Sequence, residues 1–360
     1  MKKTLIAAAV MAASGVAFAA SNVTLYGVIE EGVVVSKAKH KDTMVDLKAG
    51  FDSGNRWGIK GVEDLGNGYS VGFILEQGFS ADDGLSFTDK DAKGTKVGGF
   101  EFGREAILNV KGGFGSLAFG RTGGLAFAQS QSIRTGWVFG TGYQAAAWNA
   151  LDWVAKRMNN TVSYATPVFD GFSIHAMYSN SGTDATAKDD KKWSANGHYY
   201  GLGVKYNANN ILSSLIFEAA QNKNATGTAE DPANKKAKYG INYGLEWNLG
   251  AWTPMFAYQY IWQEDGDKNH QFGLSAKAPV AGGTVKVGAR YTFGKDDGAK
   301  AGEEDKHNAW LVGAAYEYPL SKRTIVKSYA GYAHGAKQWK KEYDVNYNGY
   351  QLYVGLCHSF

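Results

Sequence analysis

Apolar and polar positions alternate along this chain with a period of two, most clearly at its end. Tyr350, Leu352, Val354, Leu356, His358 and Phe360 share one face there, and Gly349, Gln351, Tyr353, Gly355, Cys357 and Ser359 the other. The same pattern runs through Arg56-Trp57-Gly58-Ile59-Lys60, with Trp57 and Ile59 on the apolar face and Arg56 and Lys60 opposite. Strands of this kind fit a soluble sandwich as well as a barrel, and the connections between them decide. Short turns carrying Gly, Asp, Asn or Pro fall at 64–68, 112–115, 169–171, 208–210, 249–251, 281–283 and 319–321. Long polar stretches lie between them at 37–50, 81–99, 122–156, 181–196, 222–236, 264–269, 294–306 and 335–347. Eight long and seven short connections join about sixteen strands, as expected of an all-β transmembrane antiparallel barrel with tight turns on one side and longer loops on the other.

Aromatic residues gather near predicted strand ends, as at Tyr199, Tyr200 and Tyr206, at Trp247 and Trp252, at Tyr258, Tyr260 and Trp262, and at Tyr316 and Tyr318. Such positions suit two interfacial girdles. At the other end of the chain, Lys2 and Lys3 precede an apolar run and Ala17-Phe18-Ala19 closes it, which is the form of a cleaved export leader over residues 1–19. The remainder, 20–360, reads as one barrel, because no linker or shift of composition divides it. Beyond the leader no stretch approaches the roughly 20 apolar residues of a spanning helix. A membrane location therefore requires a closed barrel, the one sheet that pairs every backbone group in lipid.

Composition narrows the chemistry. With 47 glycines and only 5 prolines the chain suits many twisted strands. The net charge of +4 falls to about +2 without the two leader lysines, too little to point to nucleic acid. A lone cysteine, Cys357, leaves no intramolecular disulfide and no thiolate metal site, and no cofactor is expected. The chain holds no G-x-S-x-G, H-E-x-x-H or P-loop motif, and its seven histidines are scattered, so catalysis is not expected. Acidic runs at Asp82-Asp83, Asp296-Asp297 and Glu303-Glu304-Asp305 read as solvated loop faces, with divalent-cation bridging to lipopolysaccharide as the alternative.

Six segments in order resemble the general porins of Gram-negative bacteria, most closely the trimeric neisserial and related proteobacterial type. They are Ser21–Ile29, Arg56–Gly66, Phe102–Ala106, Gly113–Arg121, Asn160–Pro167 with Phe169–Phe172, and Gly355–Phe360. The resemblance implies a water-filled homotrimer in the outer membrane, set among lipid and lipopolysaccharide. Small hydrophilic solutes and ions would diffuse through it passively, with the third outer loop, here 122–156, folded inward to narrow the channel. It also implies a wall of cations at the constriction, carried here by Arg56, Lys60, Arg104 and Arg157, with Arg121 near the base of the loop. The aromatic C-terminus, Phe360, would be the signal read by the barrel-assembly machinery. Related constriction loops carry several acids, whereas 122–156 contains only Asp152, beside Arg134 and Lys156. A positive, lopsided field is expected, and with it a modest preference for anions. A substrate-specific uptake channel for a sugar, peptide or organic acid is the alternative.

Two positions resist the alternation. Strict period two places Arg104 with Ala106, Leu108 and Val110 toward lipid, unless Gly103 breaks the register or small lumen residues have been mistaken for the lipid face. Glu30 and Glu31 are adjacent, so one of them faces outward.

Overall fold

A computed structural model describes residues 22–84, 101–127, 129–139, 153–181, 197–221, 236–264, 266–295, 306–337 and 348–360. The leader and Asp152 lie outside the described residues. The strands are β1 (Asn22–Ala38), β2 (Met44–Ala49), β3 (Arg56–Gly66), β4 (Tyr69–Gly78), β5 (Glu105–Gly112) and β6 (Gly115–Gly123). They continue as β7 (Arg157–Ala165), β8 (Phe172–Ser181), β9 (Tyr199–Ala208), β10 (Ile211–Ala220), β11 (Lys238–Trp247) and β12 (Thr253–Gln263). The last five are β13 (Lys268–Val280), β14 (Gly283–Lys295), β15 (Lys306–Pro319), β16 (Thr324–Lys337) and β17 (Gly349–Ser359).

From β3 onward each strand pairs antiparallel with the next, and β17 returns to β1, so the sheet closes. β2 and β3 lie on the same side of β1 and make up a single stave, giving sixteen staves from seventeen strands. Closure leaves no sheet edge in lipid, which is the condition for a spanning sheet. The seam continues past β17, where Phe360 and Gly27 each donate a backbone N–H to the other's carbonyl at 3.1 Å.

The alternation read from the sequence is the division between exterior and lumen. On β17 Leu352, Val354 and Leu356 are exposed, while Tyr353 and Cys357 are buried inside. On β10 Leu215 and Phe217 face out, and Ser214, Ile216 and Glu218 are buried within. Asn209 and Asn210 adopt positive φ (53° and 63°) and form the two-residue turn that joins β9 to β10; Ala281 and Gly282 (47° and 79°) do the same between β13 and β14. The predicted short turns all fall between consecutive strands.

Three expectations change. The stretch 37–50 is not one long loop, because β1 runs on to Ala38 and β2 pairs with it from Met44 to Ala49. The charged Asp46 and Lys48 hide that strand from a hydrophobic pattern. Tyr199 belongs to no girdle: it is buried in the lumen, where its hydroxyl donates to Glu218 at 2.7 Å and accepts from the Leu125 N–H at 2.9 Å. Arg104 does not face lipid. β5 begins one residue later, Phe102 takes a positive φ of 55°, and the turn swings the Arg104 side chain inward. The register does break beside Gly103, the first of the two options.

Packed apolar residues sit inside the barrel, between the wall and the loop that follows β6. Leu125, Ala126 and Ile133 of the loop meet Met158, Met177, Tyr199 and Ile216 of the wall. Further along, Phe139 joins Phe51, Tyr329 and Tyr353. Each fully buried side chain of the size of Leu125 contributes about 1.5–3 kcal/mol, enough for a few such contacts to hold a loop against its wall.

Candidate pore constriction

The described residues between β6 and β7 run into the lumen and along the inner wall. Wall carboxylates fasten its backbone. Glu105 accepts hydrogen bonds from Thr122 Oγ1 (2.7 Å), Ser130 Oγ (2.7 Å) and the Ser130 N–H (3.2 Å). Glu218 accepts from the Ala126 N–H at 3.2 Å, and Glu246 accepts from Thr135 Oγ1 and, at 3.3 Å, the Gly136 N–H. Near the tip of the described stretch, Trp137 packs on Gly273 and Gly288 of the wall, and the Arg290 guanidinium lies 4.2 Å from its ring centroid.

Opposite the loop, segment 50–55, β3, β4, β5, β7 and the turn before β5 present charged side chains to a cavity of about 760 Å³, and β1 adds Tyr26. Arg56 and Lys60 share the inward face of β3, with Lys60 Nζ 5.0 Å above the Tyr26 ring. Glu76 of β4 stands between two arginines. Its carboxylate accepts from Arg104 Nε at 2.6 Å and from Tyr26 Oη at 3.0 Å, and pairs with Arg56 Nε at 3.5 Å. Arg157, the first residue of β7, also lines the cavity, with its guanidinium 5.2 Å from the Phe127 ring centroid. Arg121 stands apart from the lining residues: its Nε donates to the Gly103 carbonyl at 2.8 Å and its Nη1 to Asn159 Oδ1 at 2.6 Å, bracing the turn that aims Arg104.

Among the described residues, five cations, Arg56, Lys60, Arg104, Arg134 and Arg157, line this cavity against three acids, Asp52, Glu76 and Glu105. All three acids lie outside the loop, and no carboxylate occurs among the loop's described residues. Arg134 comes from the loop and lies 5.1 Å from the Trp153 ring centroid; burial pushes its guanidinium down to about 10, which leaves it charged at neutral pH. Glu76, Glu105 and Asp52 had no place in the sequence-based site. Glu76 carried a signal, since it is the one acid within the apolar run of β4, where an unpartnered charge is costly.

A closed barrel with an apolar exterior, a polar lumen and a loop folded across it is a transmembrane channel of the outer-membrane class. The chain belongs to the Gram-negative porin family, whose pattern spans residues 6–338. It is 32% identical to outer membrane porin protein 32 of Delftia acidovorans over 91% of this chain and 88% of that one. It is 27% identical to the major outer membrane protein P.IB of Neisseria lactamica, with both chains covered in full. Among solved structures, an anion-selective porin from Comamonas acidovorans superposes with a TM-score of 0.68 at 24% identity, covering 94% of this chain and all of that one. The protein is thus an outer-membrane porin, a passive channel for small hydrophilic solutes, and its relatives are channels rather than enzymes.

Proposed function

We propose that this porin is weakly anion-preferring, that Arg56, Lys60, Arg104 and Arg157 form the attractive wall of its constriction, and that it works as a homotrimer. The observation that carries the reading is the surplus of two positive charges among the described residues around the cavity. Fixed cations in a narrow, partly desolvated passage raise the local concentration of anions and lower their barrier without any binding step. Asp152 would be the loop's own contribution of negative charge, and Arg121 acts on the site by holding the turn that carries Arg104. The similar porin from Comamonas is described as anion-selective, and a structurally similar outer membrane protein of Vibrio cholerae, OmpT, is known in a trimer form. Export would use the leader over 1–19, assembly would use Phe360, and the finished barrel would sit among lipid and lipopolysaccharide.

Liposomes carrying the purified protein test the passive, unspecific part of the reading. Uptake of neutral sugars should fall smoothly with size and show no saturation. Saturable uptake of one solute, with block of ion current by that solute alone, would replace the general channel by a substrate-specific one.

A further inference from the structure

The second stave is broken in a way that aims backbone at the arginine wall. β1 takes three steps from Val28, the partner of Arg56, to Glu31, the partner of Ala49; the facing segment takes seven steps between the same two partners. Its surplus residues turn into the lumen. Buried Glu30 receives them, accepting the N–H groups of Asp52 at 2.8 Å and Ser53 at 2.9 Å, while its own N–H donates to Asn55 Oδ1 at 2.6 Å. Lys327 of β16 reaches Glu30 at 2.8 Å, Asp52 at 2.7 Å and Ser53 Oγ at 2.9 Å. Phe51 stacks on Tyr353 with ring centroids 3.9 Å apart. These contacts anchor 50–55 to the wall, although it belongs to no strand.

Fixed in this way, Asp52, Ser53 and Gly54 line the same cavity as the arginines. The Gly54 carbonyl accepts from Arg56 Nη1 at 2.8 Å. Among the described residues, a Cβ added at Gly54 would meet one group within 4 Å, Arg104 Nη1 at 3.3 Å, and the backbone there is not in the left-handed region. A side chain at this position can therefore be accommodated, and it would project onto the guanidinium face.

We propose that the inward segment 50–55 is a second wall of the constriction and that Gly54 is a selectivity-determining position, whose missing side chain leaves Arg56 and Arg104 open to passing anions. The proposal rests on the reading of the arginine wall as the constriction. Lys327 is then a positioning residue that acts through the segment.

The test uses reversal potentials and single-channel conductance of the full-length porin in planar bilayers. Gly54→Glu should lower the anion-to-cation permeability ratio roughly threefold or more, the scale set by a charge a few ångströms from the path, and Gly54→Lys should raise it. Gly54→Cys in a Cys357→Ser background, labelled after folding, covers the case in which a charged variant fails to assemble. A sulfonate-bearing thiol reagent should shift the ratio toward cations and an ammonium-bearing one toward anions, each with a drop in conductance. Lys327→Met should blunt the effect of charge at position 54, and Lys327→Arg should restore it. If charge at 54 leaves ratio and conductance unchanged while Arg104→Glu alters both, the second wall is refuted and the arginine wall survives. If Arg104→Glu also changes nothing, the arginine wall falls, and the second wall with it.

Discussion

Glu76 accepts from Tyr26 and Arg104, pairs with Arg56, and is only 9% exposed itself. It holds two guanidiniums side by side that would otherwise repel each other, and it cancels part of their charge. Glu76→Gln should therefore move the reversal potential further toward anions while lowering thermal stability by roughly 1–2 kcal/mol, a discounted value for a cluster that is partly wet. A shift toward cations would show that Glu76 is not opposed to the arginines on the ion path. At this scale the sequence was legible where period two held. Arg56 and Lys60 fall on the inward face of a clean alternation, whereas Arg104 was placed inward only by resemblance, because a positive φ at Phe102 precedes the strand. Glu105 lies within Phe102–Ala106, yet its task, gripping Ser130 on the loop, depends on a contact between segments 25 residues apart that no local pattern encodes.

The described part of the loop after β6 has no regular structure and lies against the wall through glycines. Gly136 has a φ of 91°, and a Cβ on it would collide with the Phe256 carbonyl; a Cβ on Gly244 of β11 would collide with the Thr135 carbonyl. Backbone therefore touches backbone, which only glycine permits. Gly244→Val should push the loop toward the channel axis and reduce single-channel conductance, with barrel assembly retained on a detergent gel. Conductance equal to that of the native porin would mean that this contact does not set the width. Freeing the loop should act in the opposite direction: Glu218→Ala removes the acceptor for Ala126 and Tyr199 and is expected to raise conductance and its noise. The span of this loop between two strands was readable from the spacing of the turns, and its inward course was implied only by resemblance. The broken second stave was not, because Met44–Ala49 carries two charges in six residues and the inward turn of 50–55 is dictated by Glu30 and Lys327, which are distant in sequence.

Across the whole molecule, the exterior bears exposed Leu, Val and aromatic side chains, and its rings gather at the strand ends. Tyr260, Trp262 and His270 stack toward the loops, and Tyr69 packs with Phe114 and Phe172 with Tyr206 toward the turns. These are the two girdles, apart from Tyr199. The sheet closes at Phe360, whose ring lies over Gly27 where a side chain would collide with it. Phe360→Ala should lower the yield of assembled barrel and the temperature at which heat-modifiable migration is lost. Gly27→Leu should do the same, since both open the seam between β1 and β17. Unchanged assembly in both variants would show that the seam is closed by the β-ladder alone.

The central claim is a passive channel whose constriction carries more positive than negative charge. Its most direct test is the reversal potential of the native porin in a planar bilayer under a potassium chloride gradient. The charge around the cavity predicts a potential of the anion-selective sign, modest in size and reduced at high salt as screening sets in. A potential of the cation-selective sign would contradict it, and would place the controlling charges somewhere other than the arginine wall.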